Sequence, residues 1–316
     1  MSRACARAWS SSANLGPGFD SLAVAHTAYY DVACVEASPG NGFVEVKTIG
    51  PFSHYVSDPN TAEAGLRELM ASKGVSLDVR VTLWKGIPVS SGLGGSAASA
   101  VSTLAALTAA AGLDLGPWDV AYLAGRAEVA SAGTPHYDNA AASSLGGLVV
   151  VSLMGDRLVA KRFPIDFRLL VIRPVVEPVR GKTRLMRSVL PGSVDFRRHV
   201  RDSSMALTLL AALISGDLEV AGRLMDSDVV TLARSPHVPC FWEARDALLA
   251  AGAYGIAISG AGPSILALGP EGSLGDIAEA GLSAYGRCGM RAEAKVVRTA
   301  GGYEVLTPDE ALKLIS

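Results

Sequence analysis

The chain has 316 residues, 49% of them hydrophobic and 18% charged, with 34 glycines and only 6% aromatics. Such a length holds about two domains and buries a core without metal or disulfide staples, and the composition excludes a disordered chain. The formal charge of −2, from 28 cations against 30 acids, offers no basic surface to nucleic acid or to an anionic membrane.

Four cysteines, at 5, 34, 240 and 288, show no CxxC spacing and suggest neither a zinc ribbon nor a disulfide framework. The first residues lack the apolar run of a signal peptide. The most apolar stretch, residues 97–113, is too rich in Ala, Ser and Thr for a membrane span. The expectation is a cytoplasmic protein.

In chain order, residues 31–37 and 43–49 alternate apolar and polar positions and read as strands joined by the turn Ser38-Pro39-Gly40-Asn41-Gly42. Residues 60–73 have helical spacing at Leu66, Leu69 and Met70, and 75–83 alternate as a strand. A glycine-rich loop then runs into an alanine-rich helix at 97–111, whose weak amphipathicity predicts burial. A helix at 117–131 and a strand at 146–153 follow. Beyond these the pattern predicts a strand at 167–173 and helices at 181–189, 195–214, 217–226 and 241–251. Strands at 256–259 and 265–268, a helix at 275–285 and a strand at 291–297 complete it. No repeat or low-complexity linker appears. The interleaving favours an α+β fold in two domains, 1–160 and 161–316.

Three glycine-dense clusters carry the chemistry. The central one is Pro88-Val89-Ser90-Ser91-Gly92-Leu93-Gly94-Gly95-Ser96-Ala97-Ala98. A phosphate needs several N–H donors in a small volume, and a glycine-rich approach to a helix N-terminus supplies them. The dinucleotide pattern fails at Ala97. Gly181-Lys182-Thr183 mimics the end of a P-loop, but Val176 stands where its first glycine belongs. The other clusters are residues 11–20, with Asn14 and Asp20, and Ser259-Gly260-Ala261-Gly262-Pro263-Ser264. Three such loops in one chain suit a phosphoryl-transfer site assembled from loops.

In this order and at these spacings, the clusters resemble the three motifs of the GHMP kinases (galacto-, homoserine, mevalonate and phosphomevalonate kinases). Ser12-Ala13-Asn14-Leu15-Gly16-Pro17-Gly18-Phe19-Asp20 and His136-Tyr137-Asp138-Asn139 are similar to the branch that acts on homoserine. The resemblance runs from about residue 4 to the end. It implies an N-terminal domain like ribosomal S5 domain 2, a ferredoxin-like C-terminal domain, and a nucleotide between them. It also implies ATP and Mg²⁺ as cofactors, phosphorylation of the L-homoserine hydroxyl, and a homodimer.

Carried over residue by residue, it assigns the amino acid to Asn14, Asp20, His136 and Asn139, and its carboxylate to Arg187 and Arg234, with Arg184 as the alternative to Arg187. Thr183 would touch the reacting hydroxyl. Ser96 and Glu128 would hold Mg²⁺. Asn60, and Lys85 beside it, would line the adenine side, with residues 88–98 around the phosphates. Asn139 stands where other branches place an aspartate base, which leaves no dedicated base; Asp138 is the rival. Two departures stand out: Gly95-Ser96 replaces a double serine, for which Ser90 or Ser91 could substitute, and Trp9-Ser10 replaces Pro-Ala. Another kinase of the family, such as an archaeal-type shikimate kinase, or a non-catalytic binding protein of this fold, stays open as an alternative.

Overall fold

The computed structural model describes residues 2–56, 60–129, 133–155, 157–179 and 181–315. The N-terminal unit contains β1 (Ser2–Ala13), β2 (Leu22–Pro39), β3 (Val44–Ile49), α1 (Thr61–Lys73) and β4 (Leu77–Lys85). It continues through α2 (Gly95–Ala111), α3 (Pro117–Ala127), α4 (Asp138–Leu145), β5 (Leu148–Met154) and β6 (Arg157–Phe163). The C-terminal unit comprises β7 (Arg168–Pro174), α5 (Lys182–Ser188), α6 (Phe196–Ser215), α7 (Leu218–Gly222) and α8 (Val229–Arg234). After them come α9 (Phe241–Ala250), β8 (Gly255–Ile258), β9 (Ile265–Leu268), α10 (Leu274–Arg287) and β10 (Ala292–Arg298). The chain then returns to the first sheet as β11 (Glu304–Leu306) and ends in α11 (Pro308–Ile315).

The first sheet has seven strands in the order β11-β1-β2-β4-β3, with β5 beside the start of β2 and β6 beyond β5. The turn after residue 37 does not make a hairpin, contrary to the sequence reading. β4 lies antiparallel to β2 and parallel to β3, so it separates the two expected partners. Alternation marks a strand but not its neighbour; here α1 carries the chain over from β3 to a parallel β4. The early hairpin-like pair is β1 with β2, joined by the first glycine cluster. Helix α2 packs on β1 and β2 and is buried at every position from Ala97 to Leu107, as its uniform small apolar composition predicts.

The second sheet is antiparallel, in the order β10-β7-β9-β8. That places its fourth strand beside the first and its third beside the second, which is the ferredoxin-like arrangement. The expected division at 160/161 falls inside β6, and β11 joins β1 from the far side of the C-terminal unit. The helix expected over 117–131 is Pro117–Ala127; residues 130–132 lie outside the described ones. Among the described residues, no helix is long and apolar enough to cross a membrane.

The cysteine reading needs correction: Cys5 bonds to Cys34 and Cys240 to Cys288. The first pair faces itself across the β1–β2 register, and the second joins the start of α9 to the end of α10. Tertiary contact creates both pairs, so spacing along the chain cannot reveal them.

Candidate active site

A cleft of about 620 Å³ lies where the two units meet, and all three glycine clusters line it. Of the five non-glycine residues with left-handed backbone among the described residues, four lie in these loops: Asn14, Leu15, Asp20 and Ser90. Such conformations cost free energy and persist where the surroundings hold them, commonly at functional sites. Backbone hydrogen bonds supply the hold. Ser11 N–H donates to the Leu93 carbonyl (3.2 Å), Gly260 N–H to Ala13 (3.1 Å) and Ser264 N–H to Ser91 (3.1 Å).

The central loop turns into α2 at Gly94, whose φ is +67° and which provides no side-chain cap. A Cβ at Gly94 would stand 2.2 Å from Ser11 Oγ, and one at Gly92 (φ +81°) 2.3 Å from the Ser259 carbonyl oxygen. Glycine is therefore required at both by the close approach of the neighbouring loops. The first-turn N–H groups of a 17-residue helix thus open into the cleft beside Ser96 and Ala97. Ser96 Oγ donates to Glu128 Oε2 at 3.2 Å. Ser90 and Ser91 do not stand in for a serine at 95. Their hydroxyls donate to the carbonyls of Val179 (3.2 Å) and Pro88 (2.7 Å), whereas a Cβ at Gly95 would face Ile87 at 3.2 Å.

Two anticipated nucleotide-side residues have structural work. Asn60 lines the cleft while its Oδ1 caps α1 by accepting from Glu63 N–H (2.9 Å). Lys85 is buried, paired with the fully buried Asp31, and donates to Ser99 Oγ (2.7 Å) and the Gly95 carbonyl (3.1 Å). It braces the underside of the loop. His54 and Tyr55, ring centroids 3.9 Å apart, line the same side of the cleft and were not anticipated.

The other end of the cleft is charged. Both Asp20 carboxylate oxygens accept from the single nitrogen Arg187 Nη2 (2.7 and 2.8 Å), and Arg187 Nε donates to His136 Nε2 (3.0 Å). His136 thus accepts at a bare nitrogen, and burial, with Arg187 second, holds its pKa below the ordinary value. Arg234 is buried, bonded to the carbonyls of Met186 (2.9 Å) and Gly260 (3.0 Å), and both guanidiniums lie over the Phe19 ring. Arg184 does not line the cleft, whereas Arg187 and Thr183 do. Asn14 spends both ends of its amide on the loops: Oδ1 accepts from Asp20 N–H and Nδ2 donates to the Gly260 carbonyl, each at 3.0 Å. Asn139 Oδ1 accepts from Ser11 Oγ (2.8 Å).

The failed P-loop pattern gives Lys182 no role in the sequence. Its Nζ donates to the carbonyls of Ser90 and Gly262, joining two of the loops. Burial, then the neighbouring Arg234, pushes its pKa down to about 7.

Asp138 begins α4, its Oδ1 accepting from Asn139 N–H (2.7 Å). Burial, then the Asp20 charge, pushes its pKa up to about 6. The charged form is therefore disfavoured by folding: the penalty is absent below about pH 4 and accrues as the pH rises to about 6. Asp138→Asn is expected to raise stability at pH 7 by about 1–3 kcal/mol and to flatten the dependence of Tm on pH between about 4 and 6. Thermal melts across that range check it, and a slope unchanged from the parent refutes it.

Comparison with known proteins adds a decisive observation. The description "GHMP kinases N terminal domain" matches residues 60–147, and "GHMP kinases C terminal" matches residues 209–288. The chain belongs to the GHMP kinase family. Among curated members, the homoserine kinase of Aeropyrum pernix is 46% identical over 274 residues, covering 85% of this chain and 88% of that protein. That of Pyrobaculum aerophilum is 39% identical over 304 residues, covering 94% and 98%. The crystal structure of homoserine kinase from Cytophaga hutchinsonii superposes with a TM-score of 0.88 at 27% identity, over 97% of this GHMP kinase and 98% of that chain. L. major mevalonate kinase shares the fold, with a TM-score of 0.72 at 19% identity, covering 93% and 95%. The two matched spans contain the central loop, Glu128, Asn139, Arg234 and the third loop of this GHMP kinase.

Proposed function

We propose that the chain is an ATP-dependent homoserine kinase, transferring the γ-phosphoryl group of ATP to the hydroxyl of L-homoserine to give O-phospho-L-homoserine and ADP. One observation carries this: a single cleft holds an uncapped helix N-terminus and a charge set of both signs, Asp20 with Arg187 and Arg234. The first suits phosphates, and the second suits an amino acid's ammonium and carboxylate. The curated relatives named homoserine kinase support the same acceptor.

The donor set fits the implied cofactors. The loop from Pro88 to Ala98 would meet the phosphates with the backbone N–H groups that follow Pro88. Ser96 Oγ and a Glu128 oxygen are hard ligands of the kind Mg²⁺ takes, and Mg²⁺ held there supplies charge neutralisation to the phosphates. Asp20 accepts from the ammonium, while Arg187 and Arg234 donate to the carboxylate. Asn14 acts through Asp20, and His136 fixes the Arg187 guanidinium. Thr183 and Asn139 flank the acceptor hydroxyl. The Asn139 amide takes up no proton at neutral pH, so the hydroxyl proton passes to a phosphate oxygen as the new O–P bond forms and ADP leaves. Positioning and charge complementarity then supply the acceleration. A homodimer, carried over from the family resemblance, and a cytoplasmic location, carried over from the sequence reading, belong to the same proposal.

The test is a coupled ADP-release assay with ATP and Mg²⁺, run with L-homoserine and shikimate in parallel. Release with homoserine alone is expected. Release with shikimate alone would keep the phosphate site and reject the acceptor. ATP binding without release in either arm would favour a non-catalytic protein.

A further inference from the structure

We propose that His26, outside the cleft, is a positioning residue: as its neutral Nε2–H tautomer it sets the direction of a buried hydrogen-bond chain that ends on the Gly92 carbonyl and holds the phosphate loop in shape. His26 sits on β2 and lines no part of the cleft. Its Nδ1 is 3.1 Å from Ser10 Oγ and its Nε2 is 3.1 Å from Ser12 Oγ. Ser12 Oγ is 2.7 Å from Ser259 Oγ, which is 2.7 Å from the Gly92 carbonyl oxygen. All four side chains are essentially inaccessible to water.

Proton accounting gives the direction. Ser259 Oγ reaches both Ser12 Oγ and the Gly92 carbonyl but has one proton; the carbonyl only accepts and has no other donor among the described residues, so the proton goes to Gly92. Ser12 must then donate to Ser259, and Ser12 in turn must accept from His26 Nε2–H. The ring is neutral, because among the described residues no acid partners it and burial, opposed by a hydrogen bond to the His26 carbonyl, pushes its pKa down to about 3. Nδ1 is therefore bare and takes the proton of Ser10, whose oxygen accepts from Tyr29 N–H at 3.1 Å. Ser10 has a second acceptor at the same distance, the His26 carbonyl at 3.1 Å. An imidazole accepts at one nitrogen and donates at the other, as this position demands.

The consequence reaches the loop through one peptide plane. With the Gly92 carbonyl held on Ser259, the Leu93 N–H of the same trans peptide points the opposite way, away from the buried serines. A leucine at 26 would leave the Ser10 and Ser12 hydroxyls buried with one partner fewer and would free the last link to reverse. The chain ties all three glycine clusters together: Ser12 from the first, Gly92 from the second, Ser259 from the third.

The loop-holding half of the proposal rests on the reading of residues 88–98 as the nucleotide site, so ATP binding by the parent protein is measured first. Its absence would sink that reading and this half together. The tautomer is read separately from long-range proton–nitrogen spectra of the full chain labelled in histidine, with His26 assigned by its loss in His26→Gln. A bare Nδ1 and protonated Nε2 are expected; the opposite tautomer or a charged ring overturns the chain's direction. In kinetics, His26→Leu is expected to raise KM for ATP about tenfold and to shift KM for the acceptor less than about twofold. His26→Gln, which can also accept and donate, is expected to recover most of the loss. Ser259→Ala should raise KM for ATP similarly, and the double variant no further than the larger single one. An unchanged KM for ATP in His26→Leu, or strict additivity, refutes the proposal. If His26→Leu does not fold, the spectra and the comparison of His26→Gln with Ser259→Ala decide it.

Discussion

Asp20→Ala is expected to lower kcat/KM for L-homoserine by about 10²–10³-fold, with Tm changed by no more than about 2 °C. The Asp20 carboxylate is 41% exposed and its pairing with Arg187 is open to water, so its loss costs folding little. In the cleft the loss is larger, because it falls on two groups. The acceptor's ammonium has no carboxylate to meet, and Arg187 keeps only the His136 hydrogen bond and the face of Phe19 to orient it. Truncating one member of such a charge pair in a recognition site costs about 2–5 kcal/mol, which sets the expected range. Steady-state kinetics with homoserine, and calorimetry with ATP alone, separate the outcomes. Intact ATP binding with lost turnover is the expected pattern. A loss below about fivefold would mean that the ammonium is held elsewhere.

Asp31→Ala should destabilise the fold by about 3–5 kcal/mol, or a fall in Tm of roughly 10 °C. Asp31 is fully buried; it pairs with Lys85 through Oδ2, and its Oδ1 accepts from the N–H groups of Gly86 and Ile87, each at 3.0 Å. Removing it strands the Lys85 charge beneath the phosphate loop and unpairs two backbone donors just before Pro88. The pair itself is not predicted to be a net stabiliser, since desolvation offsets much of its attraction. Asp31→Leu with Lys85→Met should therefore recover a good part of the loss seen in the single variant. Denaturant unfolding checks both, and a single-variant loss below about 1 kcal/mol would overturn the argument.

Much of the candidate site was legible from local chemistry. Loops such as 88–98 announce themselves because glycine, small hydroxyls and a following helix are local needs of phosphate binding. The burial of α2 was legible for the same kind of reason: its small residues show no polar face. What stayed hidden depended on partners distant in sequence. β1 was missed because its last residues are buried on both faces and lose the alternation that marks a half-exposed strand. The position of β4 between β2 and β3, the two disulfides and the brace from Lys182 to Ser90 and Gly262 all arise from register and packing. Helix α4 was not foreseen because Asp138-Asn139 reads as turn chemistry. In the folded chain the Asp138 carboxylate instead accepts from the first turn of a buried helix.

The return of the chain to its first sheet bears on the order of events at the ribosome. Register pairs Cys5 with Leu306, so the outer edge of β1 is completed by a strand made only after the whole C-terminal unit. Until then β1 presents unpaired backbone donors and acceptors on a nascent polypeptide, the kind of edge that invites association with other chains. The four-stranded unit has no such debt, since β7 to β10 are contiguous in synthesis apart from intervening helices. The part of the chain translated first is thus the part that must wait, and it closes only when β11 and α11 dock.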